Sequence, residues 1–403
     1  MSRKHKGDYM RICMLAYTFY ESDNRVRRYA ETLSERGDHV EAIALGCEGQ
    51  PRHETIHGVE VYRIQNREIN EKRNLSYLIK LLQFLFNSAF FLTRKHVRNP
   101  YDLIHVHSIP DFEVFATLIP KLMGAKIILD IHDIVPELYS SKFKVSMDSL
   151  VFKALVLVEK ASCAFADHII IANHIWHKRV VSRSVSEDKC SVVMNYPVTK
   201  LFGKCPPVLE KGQKFRLLYP GTMSWHQGID IAIKAFAVIK DLVTDVEFHI
   251  YGDGAEKCNL QNLVLELGLQ ESVIIHGGVS IDRISLIMAD AGIGIEPKRN
   301  DPFSGDAFST KILEFMMLGI PVIASRTRVH SYYFNDSVVQ FFDPDDVNDL
   351  AKCMLSLITD KNLREQFTVN ARTFSKEYSW DDKKDKYLNL VDSLTGKRAY
   401  PFL

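Results

Sequence analysis

The sequence predicts an α/β fold in two halves, each a mostly parallel sheet covered by helices. Three observations predict it. A chain of 403 residues is longer than one core ordinarily organises. Short apolar runs alternate with segments of helical period along almost all of it, the βαβ rhythm that sets strands side by side in parallel. That rhythm breaks once, in the polar, proline-containing stretch 198–214, and then restarts. The expected division is a first domain over 1–200, a linker over 201–214 and a second domain over 215–378.

In the first half, RICMLAY (Arg11–Tyr17) is a buried-strand run followed by the polar loop FYESDN. Asp23 or Asn24 caps the amphipathic helix RVRRYAETLSERG, and Gly37 stops it. HVEAIALG (His39–Gly46) and VEVYRI (Val59–Ile64) are further strands, and Leu75–His96 is a long apolar helix with basic ends. DLIHVHS (Asp102–Ser108), KIILDIHD (Lys126–Asp133), DHIIIAN (Asp167–Asn173) and SVVMNYP (Ser191–Pro197) extend the sheet, with a helix near 148–165. The second half runs FRLLYPG (Phe215–Gly221), the helix GIDIAIKAFAVIKD, VEFHIYGDG (Val246–Gly254), a helix to Leu267, VIIHGG (Val273–Gly278), a helix at 281–290 and AGIGIEP (Ala291–Pro297). Open α/β sheets bind ligands beyond the carboxyl ends of their strands, so two such halves imply a cleft between two binding edges.

Composition excludes several classes. The net charge of +1 gives no global case for nucleic acid, although residues 1–200 carry about +5 and the rest about −4. The seven cysteines stand singly, without a CxxC or CxH pair, so neither a zinc site nor a disulfide framework is expected. The basic start MSRKHKGDYM lacks the apolar core of a signal peptide, and no run reaches the ~20 apolar residues that span a bilayer. A cytoplasmic protein is expected.

The most informative stretch is STKILEFMMLGIPVIAS (Ser309–Ser325). Glu314 lies early in a short apolar helix that Gly319 ends and Pro321 keeps ended. Lys311 sits one turn before Glu314, and Asp306 lies eight residues before it in a glycine-containing loop. A helix start with a cation, plus two acids, suits a ligand bearing both phosphates and hydroxyls. A plain surface helix with a Lys/Glu pair fits the same letters.

Taken in order, YPGTMSWHQGIDIAIKAF, FHIYGDG, HGGV, GIGIEP and STKILEFMMLGIPVIAS resemble the donor-nucleotide domain of the group 1 (family 4) retaining glycosyltransferases. RVRRYAETLSERGDHV, YDLIHVHS, LDIHDIVPE, ADHIIIAN and VVMNYP are similar to that family's first domain. The resemblance implies the GT-B fold: two Rossmann-like domains facing a central cleft, with 379–403 crossing back to the first domain. It also implies a retaining hexosyltransferase that moves a sugar from a UDP- or GDP-linked donor to a glycan or lipid-linked acceptor, in surface polysaccharide or glycoconjugate synthesis. By the same resemblance Glu314 grips the donor ribose, Asp306 the sugar hydroxyls, and His132 stands beside the transferred sugar. Lys311 is assigned to the donor phosphates, and no metal is needed.

The sequence also departs from the family's pattern. An aspartate, Asp306, stands where glutamate is usual, and Thr222 and Gln227 stand where the family often has two diphosphate-binding cations. The loop from Gly221 to Gly228 would then bind through backbone N–H groups and hydroxyls, or other cations would substitute: Lys311, Arg25, Lys298 or Arg299. His105 and His107 alternate on one strand as metal ligands do, but a third ligand is not visible. The helix 75–96, apolar nearly all round between basic flanks, reads either as core or as a peripheral contact with the inner face of a membrane. Two other functions fit the same architecture: a nucleotide-sugar epimerase, and a non-catalytic homologue that binds a nucleotide sugar.

Overall fold

The computed structural model describes residues 9–67, 74–203 and 214–396. The chain divides into two compact units, one running to Asn195 and resuming at Lys384, the other spanning Tyr196–Lys383. Most of the expected linker, 204–213, lies outside the described residues; its beginning is a short helix, Thr199–Phe202.

The first unit is an eight-stranded sheet: β1 (Arg11–Phe19), β2 (His39–Gly46), β3 (His53–Ile56), β4 (Val59–Asn66), β5 (Leu103–His107), β6 (Lys126–Ile131), β7 (His168–Ile171) and β8 (Cys190–Val192). Their order is β3-β4-β2-β1-β5-β6-β7-β8, and every pairing is parallel except the β3–β4 hairpin at the edge. Residues 11–17 of β1 are all buried, as expected of a strand with helices over both faces. The register pairs His107 of β5 with Asp130 of β6, so two polar residues of separate apolar runs become neighbours. Helix Asn24–Arg36 starts at the Asp23 cap, whose carboxylate accepts from the N–H groups of Arg25 and Val26 at 3.1 Å each. It ends at Gly37, whose φ of 104° is left-handed. The last helix, Trp380–Thr395, seats Tyr387 in this unit, fully buried against the ring of Tyr29 at 4.3 Å.

The second unit is a fully parallel six-stranded sheet: β9 (Phe215–Pro220), β10 (Val246–Tyr251), β11 (Val273–His276), β12 (Ile293–Glu296), β13 (Val322–Ser325) and β14 (Gln340–Phe342). The order is β11-β10-β9-β12-β13-β14, which puts the carboxyl ends of β9, β10, β12 and β13 along one edge. One core face gathers Leu217, Phe236, Phe248 and Ile250. The other gathers Ile312, Leu313, Phe315 and Met316 of helix Thr310–Leu318, which leaves Lys311 and Glu314 together at the helix margin.

Candidate functional site

In the second unit the loops leaving β9, β10 and β12 touch backbone to backbone. Gly221 N–H donates to the Tyr251 carbonyl at 2.8 Å, Met223 N–H to Asp253 O at 2.9 Å, and Arg299 N–H to His226 O at 3.0 Å. Glycine is required at these approaches. A Cβ on Gly252 would lie 1.9 Å from Gly221 O, and one on Gly228, where φ is 66°, would lie 2.0 Å from Pro297 O. The Gly221–Gly228 loop is thus fixed from both sides before helix Ile229–Ile239 begins.

Four charged side chains meet beside this loop. Glu296, the last residue of β12, is 1% exposed. Lys311 Nζ lies 3.0 Å and Lys298 Nζ 3.9 Å from its carboxylate, yet neither oxygen makes a hydrogen bond of good geometry. Lys311 also sits over the ring of Tyr219 at 5.0 Å, and its ammonium is close to Gly221: a Cβ built there would be 3.3 Å away. Burial opposes the charge of Lys311, but Glu296, Tyr219 and Glu314 together outweigh it and hold the ammonium above its usual range. Burial pushes Glu296 up, and Lys311 and Lys298 more than reverse that, so it stays ionised. Glu314, one helical turn from Lys311, has no such compensation: burial raises it to about 7 although Lys311 pulls it down. His330, fully buried, has Nδ1 2.8 Å from the Ser325 carbonyl; burial and Lys298 bring it down to about 4, so it is neutral.

In the first unit Asp130 is the centre. Arg25 donates to both its oxygens, Nε to Oδ2 at 2.7 Å and Nη2 to Oδ1 at 2.6 Å, and reaches Asn195 Oδ1 at 2.7 Å. His107 Nδ1 at 3.2 Å and His132 Nε2 at 3.1 Å converge on Oδ2 as well. Burial would favour a neutral Asp130, but Arg25 and then His132 override it and keep its pKa well below the usual carboxylate range. His132 Nε2 also lies 3.2 Å from His107 Nδ1, and the His132 side chain is 19% exposed. His105 hydrogen-bonds Tyr387 Oη through Nδ1 at 3.0 Å and is kept neutral by burial.

A glycosyl transferase 4-like domain model matches residues 22–195, and the model of glycosyl transferases group 1 matches residues 206–374. The chain belongs to the group 1 glycosyltransferases. An uncharacterized glycosyltransferase of Methanocaldococcus jannaschii is 25% identical over 387 residues, covering 90% of this transferase and 91% of that protein. The phosphatidylinositol N-acetylglucosaminyltransferase gpi3 subunit of Schizosaccharomyces pombe is 25% identical over 59% of this chain, which spans 51% of that subunit. Among solved structures, sucrose-phosphate synthase of Thermosynechococcus elongatus superposes with a TM-score of 0.78 at 18% identity, covering 96% of this chain and 100% of that one. Anabaena HepE in complex with UDP-glucose gives 0.72 at 17%, with the same coverages. The fold of the transferase is GT-B.

The structure treats the candidate residues of the transferase unevenly. Gly221, Lys311 and Glu314 come together, while Thr222 is exposed on the same loop and Gln227 is half-buried with Oε1 unpartnered. Lys311 pairs with Glu296, not with Glu314 as a plain surface helix would have it. Two candidates already have ion-pair partners. Asp306, expected to meet sugar hydroxyls, is fully buried and takes an ion pair from Arg328, a long side chain that folds down onto the shorter acid. Arg25, expected to reach a diphosphate, is 4% exposed and committed to Asp130 inside its own unit. Of the other cations, Lys298 donates to Ala307 O at 2.9 Å, and Arg299 pairs with Asp230 at 2.9 Å while lying over Trp225. The third ligand-type group near His105 and His107 is Asp130, with donor atoms within 4.8 Å of one another, but Arg25 already occupies both its oxygens.

Glu296 and Asp130 were missed. Each is an acid at the carboxyl end of an apolar strand run, two positions before a chosen residue that lies just past the strand: Lys298 for Glu296, His132 for Asp130. That spacing was the available signal.

Proposed function

We propose that this glycosyltransferase takes a sugar from a UDP- or GDP-linked donor and transfers it, with retention, to a glycan or lipid-linked acceptor. The observation that carries the donor assignment is the Lys311 ammonium held against Gly221 beside Glu296. A departing diphosphate needs preorganised positive charge, and Lys311 stands at a helix start, where the dipole adds to it. In the Gly221–Gly228 loop the N–H groups of Gly221, Met223, Gln227 and Gly228 already donate within the protein, and the remaining ones supply further donors. Glu314 accepts from the ribose hydroxyls, and its proton leaves as the ligand arrives. His132, oriented by Asp130, contacts the sugar. The UDP complexes of Anabaena HepE support uridine as the base.

The test is a thermal-shift panel of UDP- and GDP-sugars followed by radiolabelled transfer. One donor should stabilise the protein, and nucleotide release should depend on acceptor. Free nucleotide formed rapidly from donor alone would favour the epimerase; tight binding without turnover on any acceptor would favour the non-catalytic homologue. Activity should persist in excess EDTA, and loss restored by magnesium or manganese would contradict the metal-free reading.

Peripheral membrane contact is the second part of the proposal. No helix among the described residues is long and apolar enough to cross a membrane. Helix Asn74–Arg98 instead exposes Leu78, Ile79, Leu82, Phe86 and Phe90, the last two at 70% each. The helix Leu118–Leu122 that packs on it exposes Leu118, Ile119 and Leu122. So much clustered apolar surface marks an interaction site.

A further inference from the structure

The chain has three tryptophans. Trp176 and Trp380 are buried, whereas Trp225 is 51% exposed. It stands in the turn Trp225–Gln227, inside the Gly221–Gly228 loop that backbone contacts pin at both ends. An indole left in water there forgoes the burial energy its area could give the fold.

The indole is braced. The Arg299 guanidinium lies 4.7 Å from its ring centre. Asp230 holds that guanidinium at 2.9 and 3.0 Å, Asp345 reaches it at 3.4 Å, and the Arg299 N–H donates to the His226 carbonyl at 3.0 Å. One ring face is therefore backed by a fixed cation, and the side chain keeps its other surface in solvent. Lys234 lies 3.7 Å from Asp230, so two cations and two carboxylates cancel, and the platform has no spare positive charge for a phosphate. The Asp345 side chain is 58% exposed and meets Arg299 through Oδ1 alone, which leaves Oδ2 as an acceptor at the rim. A flat apolar face without net charge, edged by a carboxylate oxygen, matches a pyranose ring. Its C–H face stacks on the indole and its hydroxyls donate to the rim.

Placement indicates which ring. Lys311 and Glu314 belong to helix Thr310–Leu318, on one face of the second sheet. Asp230 starts helix Ile229–Ile239 and Asp345 precedes helix Val347–Thr359, both of which pack on the other face. A nucleotide sugar with its ribose at Glu314 and its diphosphate at Gly221 therefore points its sugar end toward Trp225. Four residues of chain separate Gly221 from Trp225, so their Cα atoms lie within about 14 Å. The donor's own sugar, bonded to the diphosphate, fills the space nearest Gly221. The next ring outward, on the solvent side where the second substrate enters, is the acceptor's.

We propose that Trp225 is a stacking platform for a sugar ring of the acceptor glycan. This rests on the transferase reading above and adds to it that the acceptor presents a pyranose ring at the transfer end of the donor site.

The test uses the full chain, the nucleotide sugar selected by the thermal-shift panel, and mono- and disaccharide methyl glycosides as acceptors. Trp225→Ala and Trp225→Leu should each raise the acceptor KM about tenfold, because leucine keeps apolar bulk without a flat face, while Trp225→Phe should stay within about threefold. Affinity for the free nucleotide should remain within about twofold of wild type in all three. With the other tryptophans buried, acrylamide quenching of wild-type fluorescence reports on Trp225. It should fall when glycoside joins the nucleotide complex, and not with nucleotide alone. An unchanged acceptor KM in the alanine or the leucine variant would overturn the platform. A loss confined to affinity for the nucleotide sugar over the free nucleotide would place the donor's ring there and overturn the acceptor assignment. An equal loss of free-nucleotide affinity would make the indole a brace for the loop and overturn the platform. Should no glycoside accept sugar, quenching with the glycosides alone decides: protection of Trp225 supports the platform and its absence overturns it. Failure of wild type to bind any nucleotide counts against the transferase reading instead.

Discussion

The two units each bury a carboxylate beside cations, and they do so in opposite ways. Asp130 is closed: a bidentate arginine and two imidazoles meet a single acid, and every contact lies within 3.2 Å. Glu296 is open: Lys311 and Lys298 approach it without hydrogen-bond geometry, and Glu314 is left with its pKa pushed up to about 7. A buried ion network that satisfies itself specifies a structure; one that leaves charge and donors unspent is completed by a ligand. The difference supports the proposal of a donor site in the second unit and of a first-unit cluster that positions His132.

The largest expected effect tests the closed side. Arg25→Ala strands Asp130 in the interior and should destabilise the first unit by about 3–5 kcal/mol, read by urea unfolding. A loss below ~1 kcal/mol would mean that the pair is not structural. Lys311→Ala should show the reverse pattern, with milder destabilisation because Lys298 still faces Glu296, and a donor affinity at least about tenfold weaker.

Glu314→Gln sharpens the contrast further. The folded pKa of about 7 lies above the ordinary value of 4.5, so the folded state binds the extra proton. Stability attributable to this group therefore falls as pH rises from about 4.5 and is at its lowest above about 7. The glutamine variant should be more stable than wild type at pH 8, by at most about 3 kcal/mol, and equal to it near pH 4. The same change should weaken donor binding by about 1–3 kcal/mol. A variant less stable than wild type at pH 8 would show that Glu314 is compensated in the apoprotein. The smallest structural effect is expected for His132→Ala, with stability within about 1 kcal/mol of wild type and a clear fall in turnover at unchanged donor affinity.

Much of the fold was legible because parallel strands buried on both faces read as apolar runs. The hairpin strand His53–Ile56 and the three-residue Gln340–Phe342 escaped, being short edge elements with little apolar signal. In the site, Lys311 and Glu314 were visible as one motif carried by local chain geometry, and Gly221 belonged to a second motif, YPGTMSWHQG. Asp130 and Glu296 were not, because their partners come from strand register and packing. Arg25 shows the limit most clearly: beside a polar loop it read as a ligand-binding cation, whereas its partner lies 105 residues away in sequence.

The most direct test of the donor site is calorimetric titration of UDP and GDP into wild type, Lys311→Ala and Glu314→Gln. One nucleotide should bind wild type, and both variants should bind it at least about tenfold more weakly while unfolding cooperatively. Affinities within twofold of wild type in both folded variants would contradict the assignment.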